Sequence, residues 1–84
     1  MHQCPCCDYF TLEERGDYSI CPMCFWEDDG LDVDELEQHS GPNHMTLREA
    51  RKNFLELGAC DRNAVRHVVS IEKRKRYAFE QRNV

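Results

Sequence analysis

Two short cysteine motifs constrain the fold of this chain more than any other feature of its sequence. Residues 4–7 are Cys-Pro-Cys-Cys and residues 21–24 are Cys-Pro-Met-Cys, and we call these motifs the first and second knuckle. A two-residue spacer lets both thiolates of a knuckle turn toward one point, and two knuckles supply the four ligands of a tetrahedral zinc ion. The spacing therefore predicts one closed, structural zinc site. Its predicted ligands are Cys4, Cys7, Cys21 and Cys24.

Other uses of the cysteines stay open at this point. The six cysteines of the chain can form disulfides, but no basic-plus-apolar signal segment precedes them, which favours a reducing, cytoplasmic location. A Cys-x-x-Cys pair can also be a redox site, yet no βαβ scaffold is predicted around it. Iron is a further alternative, because spacing alone does not separate tetrahedral zinc from tetrahedral iron.

Three more residues bear on the metal site. Cys6 lies inside the first knuckle and can replace Cys7 as a ligand, although a one-residue spacer is a less usual bite. His44 is a second substitute, as a ligand or as a partner of one. Cys60 is expected to be a buried small apolar residue.

The length of the chain makes a metal ion energetically important. We expect the 84 residues to form a single domain, near the lower limit of size for independent stability. Zinc contributes about 10–16 kcal/mol in small modules, so we predict that the amino-terminal half folds only with metal bound. No apolar run is long enough for a membrane span, and a soluble protein is expected.

Charge is distributed unevenly along the chain. Residues 1–40 contain eleven carboxylates and one arginine, residues 41–84 contain ten Lys/Arg and five carboxylates, and the respective charges of −10 and +5 sum to −5. We therefore divide the predicted domain into an acidic, zinc-ribbon-like half and a basic, helical half. Such asymmetry has two interpretations: both charged faces are solvated, or the acidic half meets a basic partner.

The predicted fold class is small α+β, stabilised by metal. Residues 8–12 and 18–20 are rich in β-favouring types, and Gly16 between them suits a turn with positive φ. These segments predict a β-hairpin that brings the two knuckles together, as in a zinc ribbon, packed on one or two carboxyl-terminal helices. Phe25 and Trp26 should cover the metal end, with Trp26 in the core.

Seven of the eleven residues in segment 27–37 are acidic. An EF-hand loop is excluded, because placing Gly30 at the sixth position puts Phe25 where a carboxylate is needed. The segment instead predicts an acidic loop that either binds a basic protein surface or stays hydrated. The candidate partner-binding residues are Glu27, Asp28, Asp29, Asp32, Asp34 and Glu35.

Helical signals are clearest in the second half. Thr46 and Glu49 form a capping box, apolar residues recur at helical spacing to about Leu57, and Gly58 is a left-handed C-terminal residue. The other face of this helix, with Arg48, Arg51 and Lys52, is expected to be exposed. Beyond it, Asp61 predicts the cap of a second helix that buries Val65, Val68 and Val69, with a strand at 68–71 as the alternative.

A run of four cations near the end of the chain can contact phosphates, although a solvated charged face is the simpler interpretation. The candidate nucleic-acid-binding residues are Lys73, Arg74, Lys75 and Arg76.

Three stretches of the sequence together resemble the CPCC family of small cysteine-rich proteins. These are Cys-Pro-Cys-Cys, Ile-Cys-Pro-Met-Cys-Phe-Trp-Glu-Asp-Asp-Gly and Gly-Pro-Asn-His-Met-Thr-Leu-Arg-Glu-Ala-Arg-Lys-Asn-Phe, within residues 4 to about 60. The resemblance implies a bacterial, cytoplasmic, zinc-ribbon-like protein without a defined activity. Its further motif positions, which it leaves without roles, are Cys6, Trp26, Glu27, Asp28, Asp29, Asn43, His44 and Asn53.

Three classes of function follow from these features. We favour a protein-binding module held by structural zinc, such as an acidic inhibitor or immunity protein for a basic nuclease toxin. A nucleic-acid-binding or regulatory zinc ribbon that uses the basic run is the first alternative. A thiol-redox or metal-dependent enzyme is the second, and we do not expect an enzyme because four sulfur ligands leave no open position.

Overall fold

The two knuckles lie at the centre of the fold, and short elements surround them. The computed structural model describes residues 1–84. The elements in chain order are β1 (His2–Gln3), β2 (Phe10–Leu12), a first 3-10 helix (Val33–Glu35), β3 (His39–Ser40), β4 (Met45–Thr46), α1 (Leu47–Leu57), a second 3-10 helix (Arg62–His67) and α2 (Ile71–Arg74). The strands form two two-stranded antiparallel sheets, β1–β2 and β3–β4, which confirms the small α+β class. None of the helices combines the length and the apolar character that a bilayer crossing requires.

The strand pairing differs from the predicted hairpin. β2 pairs with β1, with His2 opposite Leu12, rather than with residues 18–20. Ile20 instead forms an isolated antiparallel bridge with Glu27. The predicted pairing is wrong because each knuckle is the turn of its own antiparallel pair, and β-favouring composition does not specify which segments pair. Residues 13–19 therefore connect two knuckle hairpins.

Helix α1 confirms the local signals in the sequence. The Thr46 hydroxyl accepts from the Glu49 amide, the Glu49 side chain accepts from the Thr46 amide, and Gly58 ends the helix with φ of 79°. Leu47 and Ala50 are completely buried and Phe54 is half-buried, so the predicted apolar face packs on the core.

The chain after Gly58 departs from the predicted second helix. Asp61 accepts from the Ala64 amide as a cap, but the segment is a 3-10 helix that buries Ala64 and leaves Val65 44% exposed. Three residues per turn rather than 3.6 change which side chains face inward. Val68 is extended, and the Val69 amide donates to the Pro22 carbonyl at 3.0 Å, so this segment is tied to the second knuckle.

A buried carboxylate joins the first knuckle to the second half of the chain. Asp8 is 3% exposed and accepts from Arg51 at 2.7 and 2.8 Å and from Arg82 at 2.9 Å. Burial raises the pKa of Asp8, but the hydrogen bonds from Arg51 and Arg82 outweigh burial and lower it overall. The predicted full exposure of Arg51 is therefore wrong. The Asp8 carboxylate stays charged and links the knuckle to α1 and to the carboxyl-terminal tail.

A second charged cluster fixes the acidic segment. Arg15 donates from Nε to Asp28 at 3.0 Å, from Nη1 to Asp32 at 2.7 Å and from Nη2 to the Leu31 carbonyl at 2.8 Å. The Asp28 side chain is completely buried and also accepts from the Gly16 amide at 2.7 Å. One guanidinium thus bridges two carboxylates and holds residues 28–32 against the loop after β2.

Replacing Arg15 should destabilise the protein. We expect Arg15→Gln to lower the free energy of unfolding by about 2–3 kcal/mol, because it removes charged hydrogen bonds and leaves Asp28 buried without a cation. Burial raises the pKa of Asp32, but Arg15 and the Val33 amide lower it overall. A carboxylate whose pKa is lowered by folding stabilises the folded state fully above its unfolded pKa of about 4. This stabilisation is lost as the pH falls through the lower pKa of the folded protein. The difference between wild type and Arg15→Gln in urea unfolding should therefore shrink on acidification.

Two further variants control for charge and for exposure. Arg15→Lys keeps the positive charge but lacks the planar guanidinium and its several hydrogen-bond donors. The stability of this variant should lie between those of wild type and Arg15→Gln. Arg62 is exposed, so Arg62→Gln should change stability by less than about 0.5 kcal/mol. An Arg15→Gln loss no larger than that of Arg62→Gln would contradict the structural role of Arg15.

Candidate metal centre

The structure brings the four predicted metal ligands together. The Sγ atoms of Cys4, Cys7, Cys21 and Cys24 all lie within 4.8 Å of one another. The Sγ atoms of Cys4 and Cys24 are 3.7 Å apart, and so are those of Cys7 and Cys21. A tetrahedral zinc ion with Zn–S bonds of about 2.3 Å needs sulfurs about 3.8 Å apart. The four sulfurs can therefore hold one tetrahedral ion.

The two knuckles have the same backbone conformation. In each, the amide of the first cysteine donates to the carbonyl five residues later, and the amide four residues later donates back to the first cysteine. The bonds are Cys4–Tyr9 at 2.8 Å, Asp8–Cys4 at 3.0 Å, Cys21–Trp26 at 2.9 Å and Phe25–Cys21 at 2.8 Å. The residue after each knuckle is left-handed, with φ of 70° at Asp8 and 72° at Phe25. The repeated conformation aims two pairs of sulfurs at one point from opposite sides.

Polar groups around Cys21 favour its thiolate. The Met23 amide donates to the Cys21 Sγ at 3.3 Å, and the Thr11 Oγ1 lies 3.0 Å from the same sulfur. Burial raises the pKa of Cys21, but hydrogen bonds from the other cluster thiols, first Cys24, and from Thr11 lower it overall. A metal ligand must be deprotonated, so these groups prepare the site for a cation. Thr11 was not among the residues predicted from the sequence, because its contact depends on the position of β2.

Protein encloses the site almost completely. Cys4, Cys21 and Cys24 are 0% exposed and Cys7 is 3% exposed. Two cations lie beside the first knuckle, where Arg51 donates to the Pro5 carbonyl at 2.7 Å and Arg82 donates to the Cys4 carbonyl at 3.0 Å. Four thiolates around a divalent ion carry net negative charge, so these guanidiniums offset it.

The substitute ligands lie outside the cluster. Cys6 is buried, and its burial raises the thiol pKa, but its sulfur does not belong to the group of four. His44 is exposed in the β3–β4 turn with φ of 58°. Cys60 is 4% exposed, as predicted, and burial raises its pKa to about 12. None of the three belongs to the group of four sulfurs, although the Cys6 thiol forms a hydrogen bond with Cys24.

The structure divides the predicted partner-binding carboxylates into two groups. Asp28 is buried, Asp32 pairs with Arg15, and Asp29 accepts from the Ser40 hydroxyl at 2.7 Å. Glu27 is half-buried. Asp34 and Glu35 are exposed, as is Glu37 nearby, and we call these three residues the acidic face. Asp28 is therefore structural, and only part of the segment is available to a partner.

The basic run is also divided. Arg74 is half-buried, donates to the Gly58 carbonyl at 3.0 Å and lies 5.5 Å from the centre of the Phe54 ring. It thus neutralises the carboxyl end of α1 and packs on an aromatic ring. Lys73, Lys75 and Arg76 are exposed.

Two asparagines have positioning roles that the sequence did not assign. The Glu27 amide donates to the Asn43 side chain at 2.9 Å, and the Asn43 amide group donates to the Glu27 carbonyl at 2.8 Å. Asn53 donates to the Cys60 carbonyl at 2.9 Å. Asn43 therefore pairs with both backbone groups of Glu27, as a neighbouring β-strand would. Asn53 fixes the turn after α1.

The family comparison agrees with this geometry. The model of the family described as cysteine-rich CPCC matches residues 2–75, and the chain belongs to that family. The match extends further toward the carboxyl end than the resemblance to about residue 60. No curated protein and no solved structure matches the chain significantly.

Single cysteine variants should separate ligands from bystanders. We expect one metal ion per chain, and Cys→Ser at any of the four cluster positions should reduce metal content and lower the thermal midpoint. Cys6→Ser, Cys60→Ser and His44→Ala should each retain the full metal content, because these residues lie outside the cluster. Elemental analysis of the purified variants measures this directly. Loss of metal in Cys6→Ser with retention in Cys7→Ser would show that the ligand set is wrong.

Proposed function

We propose that the chain is a non-catalytic binding module whose shape one structural zinc ion maintains in a zinc-ribbon-like arrangement. The observation that carries this proposal is the cluster of four buried sulfurs, all within 4.8 Å of one another. An ion there has four protein ligands and no position for water or substrate, which supports a structural role. The two matching knuckle hairpins support the zinc-ribbon assignment. Iron would fit the same four sulfurs, so the choice of zinc is itself part of the proposal.

The energy of metal binding supports the same role. The largest side chains with almost no exposure, Trp26, Leu12, Met23 and Leu47, belong to the same core cluster as the four cysteines. A structural zinc ion contributes about 10–16 kcal/mol, comparable to or larger than the stability of an ordinary domain. The ion would therefore fix the core, and through it the surface that a partner meets.

The partner we propose is a protein with a basic surface, and its contact is the acidic face of Asp34, Glu35 and Glu37. Asp32 caps the 3-10 helix that carries Asp34 and Glu35, and Arg15 binds Asp32. The exposed carboxylates thus extend from a fixed backbone, which reduces the ordering cost of association. A carboxylate-rich surface can occupy a phosphate-binding cleft and increase the association rate, as an inhibitor or immunity protein for a nuclease toxin would require.

Charge reversal on the acidic face tests the partner. Immobilised wild-type protein should capture a basic protein from the source lysate at low salt, with capture weakening at high salt. The triple variant Asp34→Lys, Glu35→Lys, Glu37→Lys should lose this capture. The matched control reverses Glu13, Glu14 and Asp17, which are exposed outside the segment, and should keep it.

Two results would count against the proposed partner. Equal capture by the triple variant and by wild type would exclude the acidic face. Capture of nucleic acid that is lost on neutralising Lys73, Lys75 and Arg76 would favour the alternative, since these three cations are exposed.

A further inference from the structure

A cavity lies beside the first knuckle, between α1 and the carboxyl-terminal residues 79–84. Its volume is about 460 Å³, and its apolar lining includes Leu36, Phe54, Leu55 and Phe79. Small-molecule sites in proteins have volumes of roughly 300–1,000 Å³ and are mostly apolar with a few placed polar groups. The cavity therefore has the size and the lining of a small-ligand site.

The cavity is positively charged although the protein is acidic. Its lining contains four cationic side chains, Arg48, Arg51, Lys52 and Arg82, and one acidic side chain, Asp8. These five side chains together carry +3, on a chain with net charge −5. A low-dielectric cleft with one sign of charge concentrates ligands of the opposite sign.

Part of this charge has no structural use. Arg51 and Arg82 are held by Asp8, but Lys52 has no carboxylate within ion-pair distance. Arg48 pairs with Glu37, which does not line the cavity. Arg48, Lys52 and Leu55 are spaced by four and three residues, so they share one face of α1. Leu55 is 82% exposed beside these cations.

We propose that this cavity binds a small amphiphilic organic anion, an aliphatic or aromatic carboxylate. The apolar body packs on Leu55, Phe54 and Phe79, and the carboxylate lies near Lys52 and Arg48. Such a ligand covers the exposed leucine and neutralises the unpaired lysine in one step. This site is separate from the proposed function and does not depend on a basic protein partner.

The test uses decanoate as the probe and the full chain, with metal content equal across variants. Isothermal titration calorimetry of wild type should show saturable, one-to-one binding. Lys52→Glu and Leu55→Asp should each weaken binding at least about tenfold, because they remove the unpaired cation or the apolar contact. Their matched controls, Lys73→Glu and Ile71→Asp, change an exposed lysine and a 75% exposed isoleucine outside the cavity and should bind like wild type.

Two further comparisons separate ligand recognition from general damage. Decanol has the same chain without the charge and should bind at least about tenfold more weakly than decanoate. Glu37→Gln releases Arg48 from its ion pair and should strengthen decanoate binding a few-fold, a gain that misfolding would not produce.

Three results would overturn the proposal. These are an absence of saturable decanoate binding, equal affinity for decanol, and equal weakening by the cavity variants and their controls. None of these outcomes bears on partner capture by the acidic face, which the triple variant Asp34→Lys, Glu35→Lys, Glu37→Lys measures separately.

Discussion

The convergence of four cysteine sulfurs is the constraint on which the rest of this structure depends. The Sγ atoms lie within 4.8 Å of one another in the middle of a core that includes all six cysteines. Neither sheet has more than two strands, and such a sheet is marginally stable alone in water. A single ion bound by both knuckles would therefore supply the long-range connection that the short strands do not provide.

Charged clusters complete the connection between the two halves of the chain. Asp8 follows the first knuckle and binds arginines 43 and 74 residues later in the chain, while Arg15 binds carboxylates 13 and 17 residues later. The acidic half is therefore partly neutralised from within, and its outer carboxylates Asp34, Glu35 and Glu37 stay exposed. Beside α1, Asp8 balances only one of its two arginines, and with Arg48 and Lys52 the lining of the cavity stays positive.

Local signals in the sequence predicted local structure well. The knuckle spacing identified the sulfur cluster, and Thr46, Glu49 and Gly58 set both ends of α1, because each signal acts within a few residues. Strand pairing could not be read in the same way, since the partner of β2 depends on how each knuckle turns the chain. The burial of Asp28 was equally hidden, because the guanidinium that compensates its charge lies 13 residues away in the sequence. The cavity between α1 and the tail is formed by elements far apart in the chain, so no single sequence motif predicts it.

X-ray absorption spectroscopy at the metal edge of the purified protein would show directly whether four cysteine sulfurs hold one zinc ion. We predict four sulfur neighbours at about 2.3 Å from a zinc ion, with no oxygen or nitrogen in the coordination shell. A metal-free protein, or an ion with a water or histidine ligand in place of one sulfur, would contradict it.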